Sequence, residues 1–456
     1  MASAIRPKET ANMTQGSIAR HLLKFAFPLL LGNLFQQLYN TVDTWVVGNF
    51  ASNEAFSAVG SVASIINVLI GLFMGLSTGA GTVIAQFYGA KHHERVKDAV
   101  HTSIMLTLVL SVVFTIVGIT FTPGMLRLTK MPANVMPEAT TYLRIYFAGI
   151  TGLLFYNMGA AVLRSVGDSR RPFQFLVVSA VINSVLDLVF VVVFRMGVAG
   201  VALATILAQG ISATLVVRSL IRSQDCIRLE LRHLKIHWDV LKKVFRVGIP
   251  AALQLAVTSF SNVFVQSYIN HFGHHFMSGW TAYTKINQIV ILPMQSLSLS
   301  VTTFVGQNLG AGLPARAKKS VGTAFAMSAG TAIVLMIPVM VFAPRLVGFF
   351  NPNEEVIAFG SLLLRTISPF YLVYCVHDTL GGALRGAGNG KVPMIVTLVC
   401  MVGFRQVYLY VMANYICNEV IPIAFSFPAG WILSASIVLV YFLRTDLSST
   451  KLVDNN

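Results

Sequence analysis

The chain has 456 residues, 55% of them hydrophobic and only 11% charged, whereas a soluble protein carries about 25% charged residues. Apolar runs of about 18 residues or more recur along it, which excludes a soluble globular protein and predicts a polytopic membrane protein held in a lipid bilayer. The net charge of +16 would suit a nucleic-acid partner, but the Lys and Arg sit between apolar runs rather than on one domain, so no nucleic acid is expected.

The apolar runs do not alternate as barrel strands do, so helices are predicted. Twelve membrane helices are expected over 21–47, 56–86, 98–121, 138–162, 172–194, 198–221, 242–270, 279–307, 319–342, 357–382, 392–414 and 421–443. A polar stretch, 222–241, halves the chain. The expected organisation is an N-terminal tail over 1–20, a six-helix lobe over 21–221, the linker 222–241, a second six-helix lobe over 242–443, and a C-terminal tail over 444–456. The start of the chain shows no cleavable-signal pattern. If the N-terminus is cytoplasmic, 25 of the 33 Lys and Arg fall in cytoplasmic segments and four in outer loops (Arg127, Lys130, Arg195 and Arg345). That bias places both termini in the cytoplasm, which requires an even number of spans. Cys226, Cys375, Cys400 and Cys417 lack CxxC spacing and indicate neither a metal site nor a disulfide frame.

The two halves repeat. At an offset of 222 residues Pro28 meets Pro250 and Asn40 meets Asn262; at 221, Gln86-x-x-Gly89-Ala90 meets Gln307-x-x-Gly310-Ala311. At the same offset Phe121-x-Pro123 meets Phe342-x-Pro344, Arg144 meets Arg365, and Leu163-Arg164-x-x-Gly167 meets Leu384-Arg385-x-x-Gly388. Six spans per half make the repeats parallel, so the expected fold is all-α, with two lobes related by a pseudo-two-fold along the membrane normal and a cleft between them.

Polar residues inside the apolar runs are the candidates for function. In the fifth helix Asn183 and Asp187 stand four apart, on one face. A carboxylate at the centre of a membrane helix costs roughly 2.5–3.5 kcal/mol on insertion scales, which makes it a functional candidate by default. The bland reading is a protonated acid that only ties neighbouring helices together. In the first helix Gln36, Tyr39, Asn40 and Asp43 form one polar face at i, i+3, i+4 and i+7; interhelical hydrogen bonding is the alternative there. Pro28 should kink this helix near its cytoplasmic end.

The six-plus-six duplication, the Leu-Arg-x-x-Gly-(Asp/Asn) motif at Leu163–Asp168 and Leu384–Asn389, and the Gln-x-x-Gly-Ala motif closing helices 2 and 8 together resemble the multidrug and toxic compound extrusion (MATE) transporters. The likeness runs from about His21 to Arg444. It implies a secondary exporter of amphipathic, often cationic compounds, driven by inward H⁺ or Na⁺, with no other cofactor and no enzymatic activity. Bacterial and archaeal members of this kind place an aspartate in helix 1, Asn-x-x-x-Asp in helix 5 and a threonine in helix 6. By that resemblance Asp43, Asn183, Asp187 and Thr205 form the cation-coupling site, with Tyr39 and Asn157 in support, alongside Gln36 and Asn40. Two carboxylates in one low-dielectric cavity do not both ionise readily without a cation, and the oxygen ligands suit Na⁺ as well as a shared proton. The second half has Val265, Phe404 and Tyr408 where the first has Asp43, Asn183 and Asp187, so coupling is expected in the N-terminal lobe alone.

Asp378 in helix 10, the counterpart of Asn157, is a possible second acid site. Lys285 in helix 8 is read as structural, and Arg405 in helix 11 has Asp378 as its candidate partner. His92-His93 and His274-His275 are read as solvated loop pairs, with no metal expected. The chain is expected to act as a monomer in the cell membrane. A lipid-linked oligosaccharide flippase is the near alternative, for which a cationic cleft would be the sign. An intramembrane enzyme is the distant one, and no DDxxD or HExxH pattern supports it.

Overall fold

The computed structural model describes residues 13–129 and 131–453. Residues 1–12 of the expected N-terminal tail, Lys130 between helices 3 and 4, and residues 454–456 lie outside the described residues. Among the described residues eleven helices are long and apolar enough to cross a membrane, and a bent pair makes a twelfth span.

Spans 1 to 3 are Ile18–Phe50, Asn53–Gly89 and His93–Leu128. Span 4 is Met136–Ala148 continued by Ile150–Ser165, span 5 is Arg170–Val193, and span 6 is Gly197–Ile221. The second half repeats them as span 7 (Trp238–Asn270), span 8 (His274–Gly310), span 9 (Pro314–Val341, followed by the short helix Ala343–Phe350), span 10 (Glu354–Gly386), span 11 (Lys391–Ile416) and span 12 (Val420–Arg444). Spans 1 and 7 both have 33 residues and spans 2 and 8 both have 37. Spans 1 and 2 start three residues before their apolar runs, where polar caps hold the first turn: the Ser17 and Ser52 hydroxyls accept from the main-chain nitrogens of Arg20 and Ala55.

The fourth span of each half is interrupted. Span 4 turns by 48° around Gly149. A β-carbon there would lie 2.3 Å from Ile206 of span 6, so a side chain would push the two spans apart. The carbonyl of Phe147, freed by the bend, accepts from the Thr115 hydroxyl at 3.1 Å. In span 10 the corresponding break is a 3₁₀ turn at Ser368–Phe370, containing Pro369.

The repeated Leu-Arg-x-x-Gly-(Asp/Asn) motif is a helix end joined to a helix start. Gly167 and Gly388 adopt φ of +89° and +94°. The next residues, Asp168 and Asn389, donate their N–H back to Leu163 and Leu384 at 3.0 and 2.9 Å, a six-residue reversal that terminates spans 4 and 10. The same side chains then cap spans 5 and 11: Asp168 accepts from the nitrogens of Arg170 and Arg171, and Asn389 from that of Val392.

At the end of the bundle that carries both termini the two lobes are in backbone contact. A β-carbon on Gly75 would lie 2.1 Å from the Ala252 nitrogen, and one on Gly79 would lie 2.6 Å from Gly248, so spans 2 and 7 touch main chain to main chain. Gly60, toward the other end of span 2, has nothing within 4 Å. The paired Gln-x-x-Gly-Ala motifs fasten this closure. Gln86 Nε2 donates to the Gly386 carbonyl at 2.9 Å, and Gln307 Nε2 donates to the Ser165 carbonyl at 2.7 Å. These are the same bond in the two repeats, each reaching into the opposite lobe.

The terminal segments also cross over. Met13 is buried in an apolar cluster with Phe304, Leu309 and Val321 of the second half. Its carbonyl accepts from Arg316, which also bonds the carbonyls of Gln15 and Gly16. Leu452 and Val453 are buried in the core of the first half, where the Leu452 nitrogen donates to Gln86 Oε1 at 2.7 Å and Lys243 donates to its carbonyl.

A Gly79→Leu substitution is expected to penalise the closed end by about 2 kcal/mol, as overpacking does, or about 30-fold in population. Spin labels at the exposed positions Lys91 and Lys318 should then move apart. An unchanged distance would show that the contact of spans 2 and 7 does not hold the lobes together.

Candidate functional site

Asn183 and Asp187 occupy the last turn of the α-helical part of span 5, which continues as a π-helix over Leu188–Val193. Single π turns inside α-helices are frequent at functional sites. Both residues are buried, at 2% and 0% exposure. None of their four side-chain polar atoms has a hydrogen-bond partner among the described residues, and neither does Asp43 Oδ1. The carboxyls of Asp43 and Asp187 lie within hydrogen-bonding reach of each other. Two carboxylates offer only acceptors, so the pair can bond only through a shared proton or a cation. Leaving such groups unsatisfied costs about 1–3 kcal/mol each.

Thr205 of span 6 is buried and donates its hydroxyl to the Val201 carbonyl at 2.9 Å, leaving its oxygen lone pairs to accept or to ligate. The donor set is carboxylate, amide and hydroxyl oxygen, which fits a hard monovalent cation or a proton equally.

A cavity of about 560 Å³ lies between the lobes, within the range that takes drug-sized ligands. Asn183, Thr205, Asn157, Tyr39 and Gln36 line it from the first half. Asp43 and Asp187 are not on its wall, so the polar face expected of span 1 divides. Gln36 and Tyr39, one turn apart, face the cavity. Asp43 faces Asp187, and Asn40 is exposed outside the cavity, where Thr44 donates to its main-chain carbonyl. Asn157 spends its amide on the Leu153 carbonyl of its own helix.

Tyr142 of span 4, absent from the sequence reading, is buried beside both aspartates and stacks on Tyr146 at 6.3 Å. Its signal was the spacing Tyr142-x-x-x-Tyr146, two phenols one turn apart on one face of the helix. The bend at Gly149 separates this half of span 4 from the half that carries Asn157.

In the second half Asp378 lines the cavity, with Oδ2 enclosed and unpartnered. Arg385 is its electrostatic neighbour and donates to Gln254 at 3.4 Å. The expected pairing of Arg405 with Asp378 is not present. Arg405 instead donates to Ser261 Oγ at 2.5 Å and Asn262 Oδ1 at 2.9 Å, both on span 7, which it reaches because spans 7 and 11 pack side by side. Lys285 is exposed and outside the cavity. The His274 and His275 rings lie 3.8 Å apart, with His275 3.7 Å from Glu355.

Two repeated six-span halves, closed at one end over a central cavity, define a polytopic membrane transporter. The MatE family model matches residues 28–189 and again 250–411, and the chain belongs to this family. It is 29% identical over 388 residues to the probable multidrug resistance protein YpnP of Bacillus subtilis, covering 85% of this chain and 87% of that one. It is 28% identical over 450 residues to the probable multidrug resistance protein YoeA of the same organism, covering 97% of each. A solved multidrug resistance MATE family transporter of the MOP superfamily, in an outward-facing conformation, superposes with a TM-score of 0.91 at 23% identity, over 98% of this chain and 99% of that one. That last likeness is one of fold.

Asp187→Asn is expected to keep the fold and to give Asp43 an N–H donor where it now meets an acceptor. In sodium-free buffer at alkaline pH its thermal midpoint should exceed the parent's, by a hydrogen bond worth about 1 kcal/mol. A lower midpoint would mean that the two carboxyls are not in contact.

Proposed function

We propose that this protein is a secondary exporter of amphipathic organic compounds, driven by inward H⁺ or Na⁺ and working by alternating access. The observation that carries this reading is the cluster of unpartnered oxygens on Asp43, Asn183 and Asp187, joined by Thr205. An enclosed acid pair with no counter-charge is a place for a cation that comes and goes. Coupling requires cation and cargo to prefer different lobe arrangements. The site suits this, because Asp43 is on span 1 and Asp187 on span 5, so binding a cation between them draws two spans of one lobe together. Spans 1 and 7 also carry the inter-lobe packing, with Leu22, Phe25 and Leu29 of span 1 buried in a second-half cluster. A change at Asp43 is therefore made in a helix that both lobes share.

With both termini cytoplasmic, as the Lys and Arg distribution favours, the closed end faces the cytoplasm and the cavity belongs to an outward-facing state. The chain would act as a monomer in the cell membrane. The names of its curated relatives support drug-like cargo. The flippase alternative gains one observation, since Arg164, Arg385 and Arg405 all face the cavity; the family match and those names favour export.

The test is export from energised vesicles by the wild type, Asp43→Asn and Asp187→Asn, with Na⁺ and pH gradients imposed separately. Each variant should lose gradient-driven export by at least about tenfold, the scale of a lost charge-assisted contact. Retained export in both variants would sink the coupling site. Export that follows only one gradient identifies the ion.

A further inference from the structure

Arg405 stands in the middle of span 11, directly after the π-helix Leu398–Phe404, and is 2% exposed. Its two protein acceptors, Ser261 and Asn262, are neutral, and both are met by Nη2 alone. Gln406 Nε2 donates to the same Ser261 hydroxyl at 3.0 Å, so that hydroxyl is already shared. The Phe427 ring lies 4.7 Å from the guanidinium carbon. Nε is enclosed without a partner, and Nη1 meets no protein acceptor among the described residues. No carboxylate among the described residues pairs with this guanidinium. A charge withdrawn from water in this way costs several kcal/mol unless an opposite charge meets it, and inside a membrane such a residue marks a binding path by default.

The surroundings say what would meet it. Arg405 lines the central cavity together with Arg164 and Arg385, and Asp378 is the one carboxylate on that wall. The cargo-facing surface is therefore net positive, and the Asp43–Asp187 pair lies off it. Phe427 and Trp431 stand on the same wall, 6.2 Å apart. They offer an aromatic face beside the guanidinium, an arrangement that takes an apolar body next to an acidic head.

We propose that Arg405 is the anchor of a cargo site for amphipathic organic anions, with the carboxylate or phosphate oxygens accepting from its free N–H groups and the apolar body lying against Phe427 and Trp431. This deepens the exporter reading by naming the cargo class, and it replaces the cationic cargo that the family resemblance implies. It also separates the two ligands: the coupling cation goes to the acids of one lobe and the anionic head to the arginine of the other.

The test is equilibrium binding to the purified full chain in nanodiscs, which needs no gradient and so stands apart from the export assay. The probes are 4-phenylbutyrate, 1-naphthyl phosphate and, as the charge-reversed match of the first, 4-phenylbutylamine. One or both anions should bind the wild type saturably and more tightly than the amine. Arg405→Gln should weaken anion binding by at least about tenfold, as loss of a charge-assisted bond does, and should narrow or reverse the preference over the amine. Asn262→Asp keeps the arginine but sets a carboxylate against it, so it should weaken anion binding as well and guards against misfolding of the first variant. Tighter binding of the phosphate or of the carboxylate tells which oxyanion the site is built for. Absence of saturable anion binding to the wild type, preference for the amine, or anion affinity unchanged in both variants overturns the proposal. Retained anion binding with failed export in vesicles would instead count against the exporter reading.

Discussion

Inside a bilayer there is no water to complete a hydrogen bond, so every polar group must find its partner within the protein. Most of this structure obeys that constraint closely. The hydroxyls of Thr41, Thr44, Ser103, Thr107 and Thr281 return to the carbonyl one turn back in their own helices. The bend in span 4 is answered by Thr115. Against that background the exceptions stand out. Asn183 and Asp187 are wholly unanswered, and Arg405 is answered only by neutral groups on one of its nitrogens. Each lies in or beside a π-helical stretch, where the regular backbone ladder is already interrupted. Other buried polar atoms also lack a protein partner, Asp378 Oδ2 and the Tyr283 and Tyr371 hydroxyls among them, but the acid pair of one lobe and the arginine of the other are the open groups that combine charge with a break in the backbone ladder.

The architecture was legible in the sequence because its signals are local or periodic. Apolar runs give the spans, and the recurrence of Gln-x-x-Gly-Ala and Leu-Arg-x-x-Gly gives the two-lobed repeat. The structure adds the reason for the motifs: the first fastens one lobe to the other, and the second ends one helix and starts the next. The positions of Asn183 and Asp187 on one face were equally readable, since they are one turn apart. What was not readable depends on how spans sit beside one another. Tyr142 reaches the acids only because span 4 bends at Gly149. Asn40 shares a polar stripe with Asp43 in sequence but faces away from the cavity in space. Asp378 was the natural acid for Arg405 by composition, yet span 7 offers Ser261 and Asn262 closer at hand. Proximity between distant segments carries no periodicity, so a single sequence does not announce it.

The separation of charge matters for how such a transporter would work. An acid pair on the cavity wall would meet cargo and cation at one point, and each would have to displace the other. Here the acids sit off the wall that Asn183 and Thr205 line, while that wall is net basic. On the proposed coupling, cation and cargo would influence one another through the shapes of spans 1 and 5 rather than by contact. That arrangement would be allosteric in the strict sense of two sites biasing one two-state element.

The crossing of the terminal segments has a consequence for how the closed end is held. Met13 precedes span 1, yet the surface that buries it, around Phe304, Leu309 and Arg316, is in the second half. Leu452 follows span 12, and its seat against Gln86 is in the first. Each half is clasped by a segment that belongs to the other, so the lobes cannot part at this end unless those segments leave their seats or travel with the lobe that holds them.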